Sequence, residues 1–322
     1  MNNSFPNRKM SCCLEYGEDK VPYIKINDYA LRLDLEELDD EFKDKAEKEL
    51  RETPEVVEDA LEQLKKMLQD EKEKGLFIPF EDDNFLVKFL RPCKFYPDST
   101  LKLIQKHYKF RTKNPKYCTD LLPDKVAHVF KDNVIQFLPT RTQQGSRIMV
   151  INAGEKWKVK NVTLQDLFRS VMMALEIAMI EPRTQVGGVH VVLDMIGLSL
   201  NHVYQFTPYF AKMVLDWVQE CTPVRLKGIH VVNQPYIFNM LYRIFKPFIR
   251  EKLRKRIHFH GTNWNNFTGI LPAKSLPDYY GGEMAIMEFP GHLLAELLCL
   301  YKEDFALANS YGYNKGHNDK KI

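Results

Sequence analysis

No catalytic signature is visible in this chain of 322 residues. It lacks the G-x-S-x-G turn that exposes a nucleophilic serine, the G-x-x-x-x-G-K loop that cradles phosphate, and the G-x-G-x-x-G fingerprint of dinucleotide sites. Gly187-Gly188 precedes an apolar run instead of joining strand to helix, so it reads as a turn. With no nucleophile–base pair in view, an enzyme is not expected and no cofactor is implied. The six cysteines form no C-x-x-C pair. Together with the lack of a signal-peptide core, this predicts reducing cytosol as the compartment. Long apolar runs are missing too. Residues 171–180, the most apolar helical stretch, are short for a bilayer span and contain Glu176. The chain can touch a membrane but is not expected to cross one.

Charge of one sign does not dominate either. A net charge of +3 argues against a chain whose main task is coating nucleic acid, and no array of stacking aromatics accompanies the basic residues. The small total hides an asymmetry. Residues 1–75 carry 13 Lys/Arg against 21 Asp/Glu, a net of −8, which leaves +11 for the remainder. Between Arg225 and Arg256 nine bases face the single acid Glu251. His258 and His260 fall on one side of a predicted strand, but without a third clustered ligand they read as core or interface histidines, as does His230, and no metal is expected.

A hydrophobic fraction of 44% is enough for a real core, and the length suits one large domain plus a smaller helical one. Residues 1–48 read as a flexible leader with a charged, weakly striped segment. Residues 49–118 read as a helical module. Thr53 caps a helix whose first turn holds Pro54 and Glu55, Val57, Leu61, Leu64 and Leu68 form its stripe, and Gly75 stops it. Further helices are predicted over 83–90 and 99–112. From about Asp124 strands alternate with helices: strands over 147–151, 189–194, 226–232 and 257–260, helices over 163–180 and 208–220. This grammar predicts βαβ units and an α/β fold with a mostly parallel sheet. A C-terminal stripe, Leu293, Leu294, Leu297 and Leu298, precedes a tail expected to fray from Gly312.

The densest information lies in residues 226–261. A buried-strand pattern turns at Asn233-Gln234-Pro235. Ile237, Phe238, Leu241, Ile244, Phe245, Phe248 and Ile249 then recur at helical spacing, with Pro247 placed to break the helix. Arg250, Lys252, Arg254, Lys255 and Arg256 follow. Composition alone leaves two readings open, a core helix with a solvated basic turn or a lid over an apolar pocket facing an anionic surface. The order of strand, Asn233-Gln234-Pro235, aromatic helix, Lys246-Pro247-Phe248, Glu251-Lys252, Arg256-Ile257 and His260-Gly261 resembles the CRAL-TRIO lipid-transfer family. The likeness is to its animal branch of tocopherol-transfer, retinaldehyde-binding and clavesin proteins. Thr53-Pro54-Glu55-Val56-Val57, Phe89-Leu90-Arg91 before Phe95, Asp194, Thr222-Pro223, Leu276-Pro277 and Tyr280-Gly281-Gly282 stand in the same order as in that family, over roughly residues 50–290.

The resemblance implies a CRAL-TRIO lipid-binding domain over 124–289, with a C-terminal helix and tail over 290–322. It implies a cavity walled by Phe168, Val171 and Leu175 from one helix and by Val214, Trp217 and Val218 from another. Strand residues Val189, Leu193, Leu226 and Ile229, and loop residues Leu198 and Val224, would complete the wall. Phe238, Leu241, Ile244, Phe245 and Phe248 would form the lid. Where Val171 and Leu175 stand, the tocopherol carrier has serines, and Trp217 replaces a smaller residue. The wall here is therefore more apolar, and tocopherol-, retinoid-, carotenoid- and sterol-like ligands all stay open. Arg225, Lys252 and Arg256 match positions that grip phosphoinositide headgroups. A fourth family cation is replaced in Pro92-Cys93, leaving Arg91 or Lys94 to compensate. The resemblance assigns Asp194 a structural role. The implied function is a soluble cytoplasmic carrier of a small hydrophobic ligand, transiently peripheral at anionic, phosphoinositide-containing membranes, endosomes being one option. The alternative is a phosphoinositide-binding trafficking adaptor whose cavity ligand is incidental.

Overall fold

Residues expected to form a flexible leader instead build a small antiparallel sheet. The computed structural model describes residues 11–286 and 288–313, so residues 1–10 and 314–322 of the expected leader and tail lie outside the described residues. Strands β1 (Cys12–Tyr16), β2 (Pro22–Ile26) and β3 (Tyr29–Arg32) pair in sequence order. Pro22, Ile24 and Ile26 alternate inward along β2, and Asn27 takes a left-handed φ of 51° at the turn. Ile24, Ile26 and Leu31 bury themselves in the main core beside the helix Gly291–Leu300. Burial against that helix fixes a segment whose own strands are too short to be stable alone.

Asp39 caps the helix Asp40–Leu50, and Phe42, Ala46 and Leu50, spaced four apart, bury its inner face. The Thr53 hydroxyl accepts from the Val56 N–H at 3.3 Å and starts the helix Pro54–Glu73. Asp83–Leu90 follows the predicted bounds, while Pro97–Lys113 begins two residues earlier than predicted because Pro97 suits the first helical turn. The short strand β4 (Leu76–Phe77) pairs with Gly312–Tyr313 near the carboxyl end, so Gly312 and Tyr313 are tied down and not frayed.

The central sheet runs β5 (Ile135–Phe137), β6 (Arg147–Asn152), β7 (Val189–Asp194), β8 (Leu226–Val232) and β9 (Ile257–Gly261). Strands β6 to β9 are parallel, and β5 is an antiparallel edge strand that no periodicity announced. Pairing steps from Val189↔Leu226 to His190↔Gly228, so one extra residue in β8 places Leu226 on the same face as Ile229 and Val231. That face, with Val189, Val191 and Leu193, meets the helices Leu164–Ala178 and Pro208–Asp216. The opposite face carries Ile148, Val150, Val192 and Val232 against Phe267, Leu271, Leu276 and Tyr280. Thr163 and Asp166 cap the first of these helices reciprocally. The helix predicted over 208–220 is α-helical only to Asp216 and widens into a π turn at Trp217–Cys221.

One buried carboxylate joins the amino-terminal sheet to the larger domain. Glu181 is fully buried, binds the guanidiniums of Arg141 and Arg147, and accepts from the Asp34 N–H at 3.0 Å. Two cations around one acid, with backbone groups meeting the remaining valences, is an arrangement that tolerates such burial. Among the described residues no helix is long and apolar enough to cross a membrane.

Candidate ligand pocket and headgroup site

The helix predicted as a lid is built as the chain turns away from β8. Asn233 adopts a left-handed φ of 52°, and the Gln234 side chain accepts from the Gly261 N–H at 3.0 Å, which pins the turn to β9. Helix Phe238–Phe245 gives way at Pro247 to a single 3-10 turn, Lys246–Phe248. Phe238 and Leu241 are buried with Met195, Leu198, Val203 and Val231. Ile244 and Phe245 pack on the same cluster but stay only partly buried, and the Phe245 ring lies 5.5 Å from that of Phe206. Phe248 belongs to an adjoining cluster with Leu215, Ile249 and Leu253. Met240 and Tyr236 point outward, 45% and 91% exposed.

Opposite the lid, Val171, Leu193, Val214, Val218, Leu226 and Ile229 face inward from several elements, yet each remains partly accessible. All six pack on the main apolar core yet keep some accessible surface for a further apolar contact. Leu198 is buried directly beneath the lid. Phe168 is buried, with its ring edge-to-face on Trp217 at 5.1 Å. Val189, fully buried, is filled in as core at the start of β7. Leu175, Trp217 and Val224 are shared differently, because they also line a separate cavity of about 910 Å³ on the far side of the helix Leu164–Ala178. Trp217 lines that cavity with its indole packed on Phe168.

The three predicted headgroup cations are not equally available. The Arg225 guanidinium donates to the Val186 carbonyl and to Glu49 at 2.7 Å, and Lys227 pairs with the same carboxylate at 3.3 Å. Burial raises the Glu49 carboxyl, but the Arg225 hydrogen bond and the charges of Lys227, Arg225 and Lys45 outweigh it and bring its pKa to about 2. Arg256 donates to the Leu226 carbonyl at 2.5 Å. Lys252 is exposed and makes no ion pair among the described residues. The helical turn Glu251–Arg254 ends before Arg256, so Lys252 and Arg256 do not share a helix face. Arg250 is held by Glu220, and Lys255 by Glu251 at 2.8 Å. At the corner where the family cation is missing, Arg91 is buried and committed to Glu52 and, at 2.6 Å, to Gln185, so it does not compensate. Lys94 is exposed at a left-handed φ of 54°. The Cys93 thiol is pushed up by burial and pulled back by Thr100 and by the charge of Lys252, which places Lys252 beside this loop.

A CRAL/TRIO domain model matches residues 131–282. Over 238 residues the chain is 33% identical to Alpha-tocopherol transfer protein-like of Mus musculus, a match covering 74% of this chain and 68% of that protein. The chain belongs to the CRAL-TRIO family. Clavesin-1 of Rattus norvegicus is 28% identical over 243 residues, covering 75% of this chain and 68% of that protein. The solved structure of Sfh5 aligns with a TM-score of 0.44 at 18% identity, over 62% of this chain and 73% of that one. Family membership places the chain among lipid-binding transfer proteins.

Within the CRAL-TRIO domain Asp194 is a brace. Its carboxylate accepts from the Ile196 N–H at 2.9 Å, from Asn233 Nδ2 at 3.0 Å and from the Tyr280 hydroxyl at 2.7 Å. The ends of β7 and β8 and the segment carrying Tyr280 are locked together by it. The histidines on the sheet face that meets Phe267 associate with one another. His190 Nδ1 lies 3.0 Å from His230 Nε2, His230 Nδ1 lies 3.1 Å from His260 Nε2, and His258 stacks on His230 at 5.2 Å. Among the described residues no group of three or more His, Cys, Asp or Glu side chains is arranged to hold a metal ion. The far cavity, and Lys88 on its wall, escaped sequence reasoning. The available signal was a lysine inside the apolar run Phe85-Leu86-Val87-Lys88-Phe89-Leu90.

Proposed function

We propose that this protein is a cytoplasmic carrier that holds a small hydrophobic ligand between the lid helix and the sheet and releases it at phosphoinositide-containing membranes. The observation that carries the proposal is the set of inward-facing, partly accessible apolar side chains from Val171 to Ile229 beneath Ile244 and Phe245. Each methylene buried there contributes about 0.8 kcal/mol, so a dozen supply on the order of 10 kcal/mol before the cost of association. Val171 and Leu175 offer no hydroxyl, which favours a ligand with little polarity at that end. Mass spectrometry of an organic extract of the purified protein tests the reading. A stoichiometric hydrophobe is the expected result. An empty protein that also fails to take up retinoid, tocopherol or sterol would overturn it.

Trp217→Ala should reshape the wall, because the indole closes one end against Phe168. The ratio of affinities among retinoid, tocopherol and sterol is expected to change by about tenfold, the usual scale for a change in pocket volume. Identical ratios in parent and variant would remove Trp217 from the wall.

Membrane docking rests on Lys252, with the exposed Lys94 next to Cys93, whose thiol senses Lys252, and Arg256 anchoring the strand behind. Since each basic residue near an anionic surface is worth about 1 kcal/mol, Lys252→Ala should weaken vesicle binding about fivefold. A shaped site should also prefer phosphoinositide to phosphatidylserine vesicles at matched surface charge. Equal binding to both lipids, or an equal loss from any distant Lys→Ala change, would reduce the site to a diffuse patch.

A further inference from the structure

The cavity of about 910 Å³ behind Trp217 lies between the amino-terminal helices and the CRAL-TRIO domain, outside the lidded space. Its volume is that of a small-molecule site. Phe85, Phe89, Tyr108, Met172, Trp217 and Tyr311 contribute apolar wall. The guanidiniums that reach it are already matched. Arg111 binds Glu176 at 2.7 Å and Asn309 at 3.2 Å, and Arg91 binds Glu52 at 2.6 Å. Glu37, Asp82 and Asp304 sit on its exposed rim.

Lys88 is different. Its ammonium lies 4.1 Å from the ring centroid of Phe85 and 5.3 Å from that of Phe89, and among the described residues no carboxylate stands within 4.0 Å of it. The residues around it on the helix, Phe85, Leu86, Phe89 and Leu90, are all buried. A lysine in an apolar wall that meets ring faces, with no carboxylate at ion-pair distance, is an incompletely compensated cation. Burial lowers its pKa to about 8, opposed by Glu176 and Asp82 and assisted by Arg111, so at neutral pH it remains largely charged.

We infer that this cavity binds a monoanionic amphiphile, a carboxylate on a long aliphatic or isoprenoid tail, with the carboxylate on Lys88 and the tail along the aromatic wall. One unmatched cation balances one anionic charge. A phosphorylated headgroup brings several charged oxygens and needs several free cations, whereas the two guanidiniums here are committed to acids. The apolar wall suits a hydrocarbon tail and offers nothing to a small polar acid.

The test is a fluorescence titration of the full chain with cis-parinaric acid and with its methyl ester, which share a tail and differ in charge. The parent should bind the acid at least about tenfold tighter than the ester, the worth of one buried charge-assisted hydrogen bond. Lys88→Met should bring the acid down to the level of the ester while melting no lower than the parent, since the substitution removes a partly buried charge that has no ion-pair partner among the described residues. Lys88→Arg should keep a preference for the acid. Ile229→Trp, which fills the space beneath the lid, should leave acid binding unchanged. Equal binding of acid and ester by the parent would overturn the proposal, as would an acid preference that survives Lys88→Met. Loss of acid binding in Ile229→Trp would place the acid beneath the lid and overturn it equally.

Discussion

Replacing Phe245 and Phe248 by aspartate should slow delivery of a bound ligand to vesicles by roughly thirtyfold. Moving even one carboxylate toward the apolar part of a bilayer costs on the order of 2 kcal/mol, and tenfold in rate corresponds to about 1.4 kcal/mol. The two phenylalanines act in different ways in the closed state. Phe245 bridges the two apolar clusters under the lid and meets Phe206, so its loss also weakens closure and hastens escape of ligand into water. Phe248 packs only in the cluster around Leu215 and Leu253. Met240→Asp offers the cleaner comparison, because Met240 is exposed on the same helix and its replacement leaves the closed contacts in place. Transfer to vesicles should slow in both variants, whereas equilibrium binding should fall only in the double phenylalanine variant. Parent-like transfer in both would show that another element meets the membrane.

Acidification should destabilise the fold well before its carboxylates titrate. Burial is the first cause of depression for His190, His230 and His260, bringing them to about 4, about 2 and about 4. Positive neighbours add to it: Lys227 and His258 at His190, the sister rings at His230, and His258 at His260. An unfolded histidine titrates near 6.5, so between there and 4 the unfolded chain binds more protons than the folded one. Stability is therefore complete above about pH 6.5 and falls as pH drops toward 4. At about 1.36 kcal/mol per unit, His190 and His260 each contribute about 3 kcal/mol to that fall, against a total stability of typically 5–15 kcal/mol. The check is the urea midpoint between pH 7.5 and 4.5. It should decline steadily, and His190→Gln should flatten the slope. A level midpoint across that window in the parent would show that the ring chain does not govern acid stability.

The strands of the parallel sheet were legible because burial on both faces leaves near-continuous apolar runs. Val189–Asp194 and Leu226–Val232 match their predicted bounds. Helix starts were legible at Thr53 and Thr163, where a hydroxyl must meet an orphan N–H. What stayed hidden has no local cause. The strands β1 to β3 are too brief for a period to rise above chance, and they persist because of a helix more than two hundred residues further along. The π turn at Trp217 continues an apolar rhythm that a sequence cannot distinguish from α-helix. The apolar stripe of the helix Phe238–Phe245 and the apolar face of β8 were legible in spacing. The partner of Arg225 was not, since Glu49 lies 176 residues away and nothing near either residue marks the other.

That pairing makes Glu49 a tethered rival for any anion approaching Arg225. Any such anion must displace a carboxylate already held at high local concentration, so its affinity from solution is lower than for the bare guanidinium. The exchange has a second side. Once Arg225 is taken, the helix Asp40–Leu50 loses one of its anchors to the sheet, and linkage requires that whatever loosens this helix strengthens anion binding by the same factor. Under the docking proposed above, events at the amino-terminal segment and at the membrane surface would be two readings of one equilibrium.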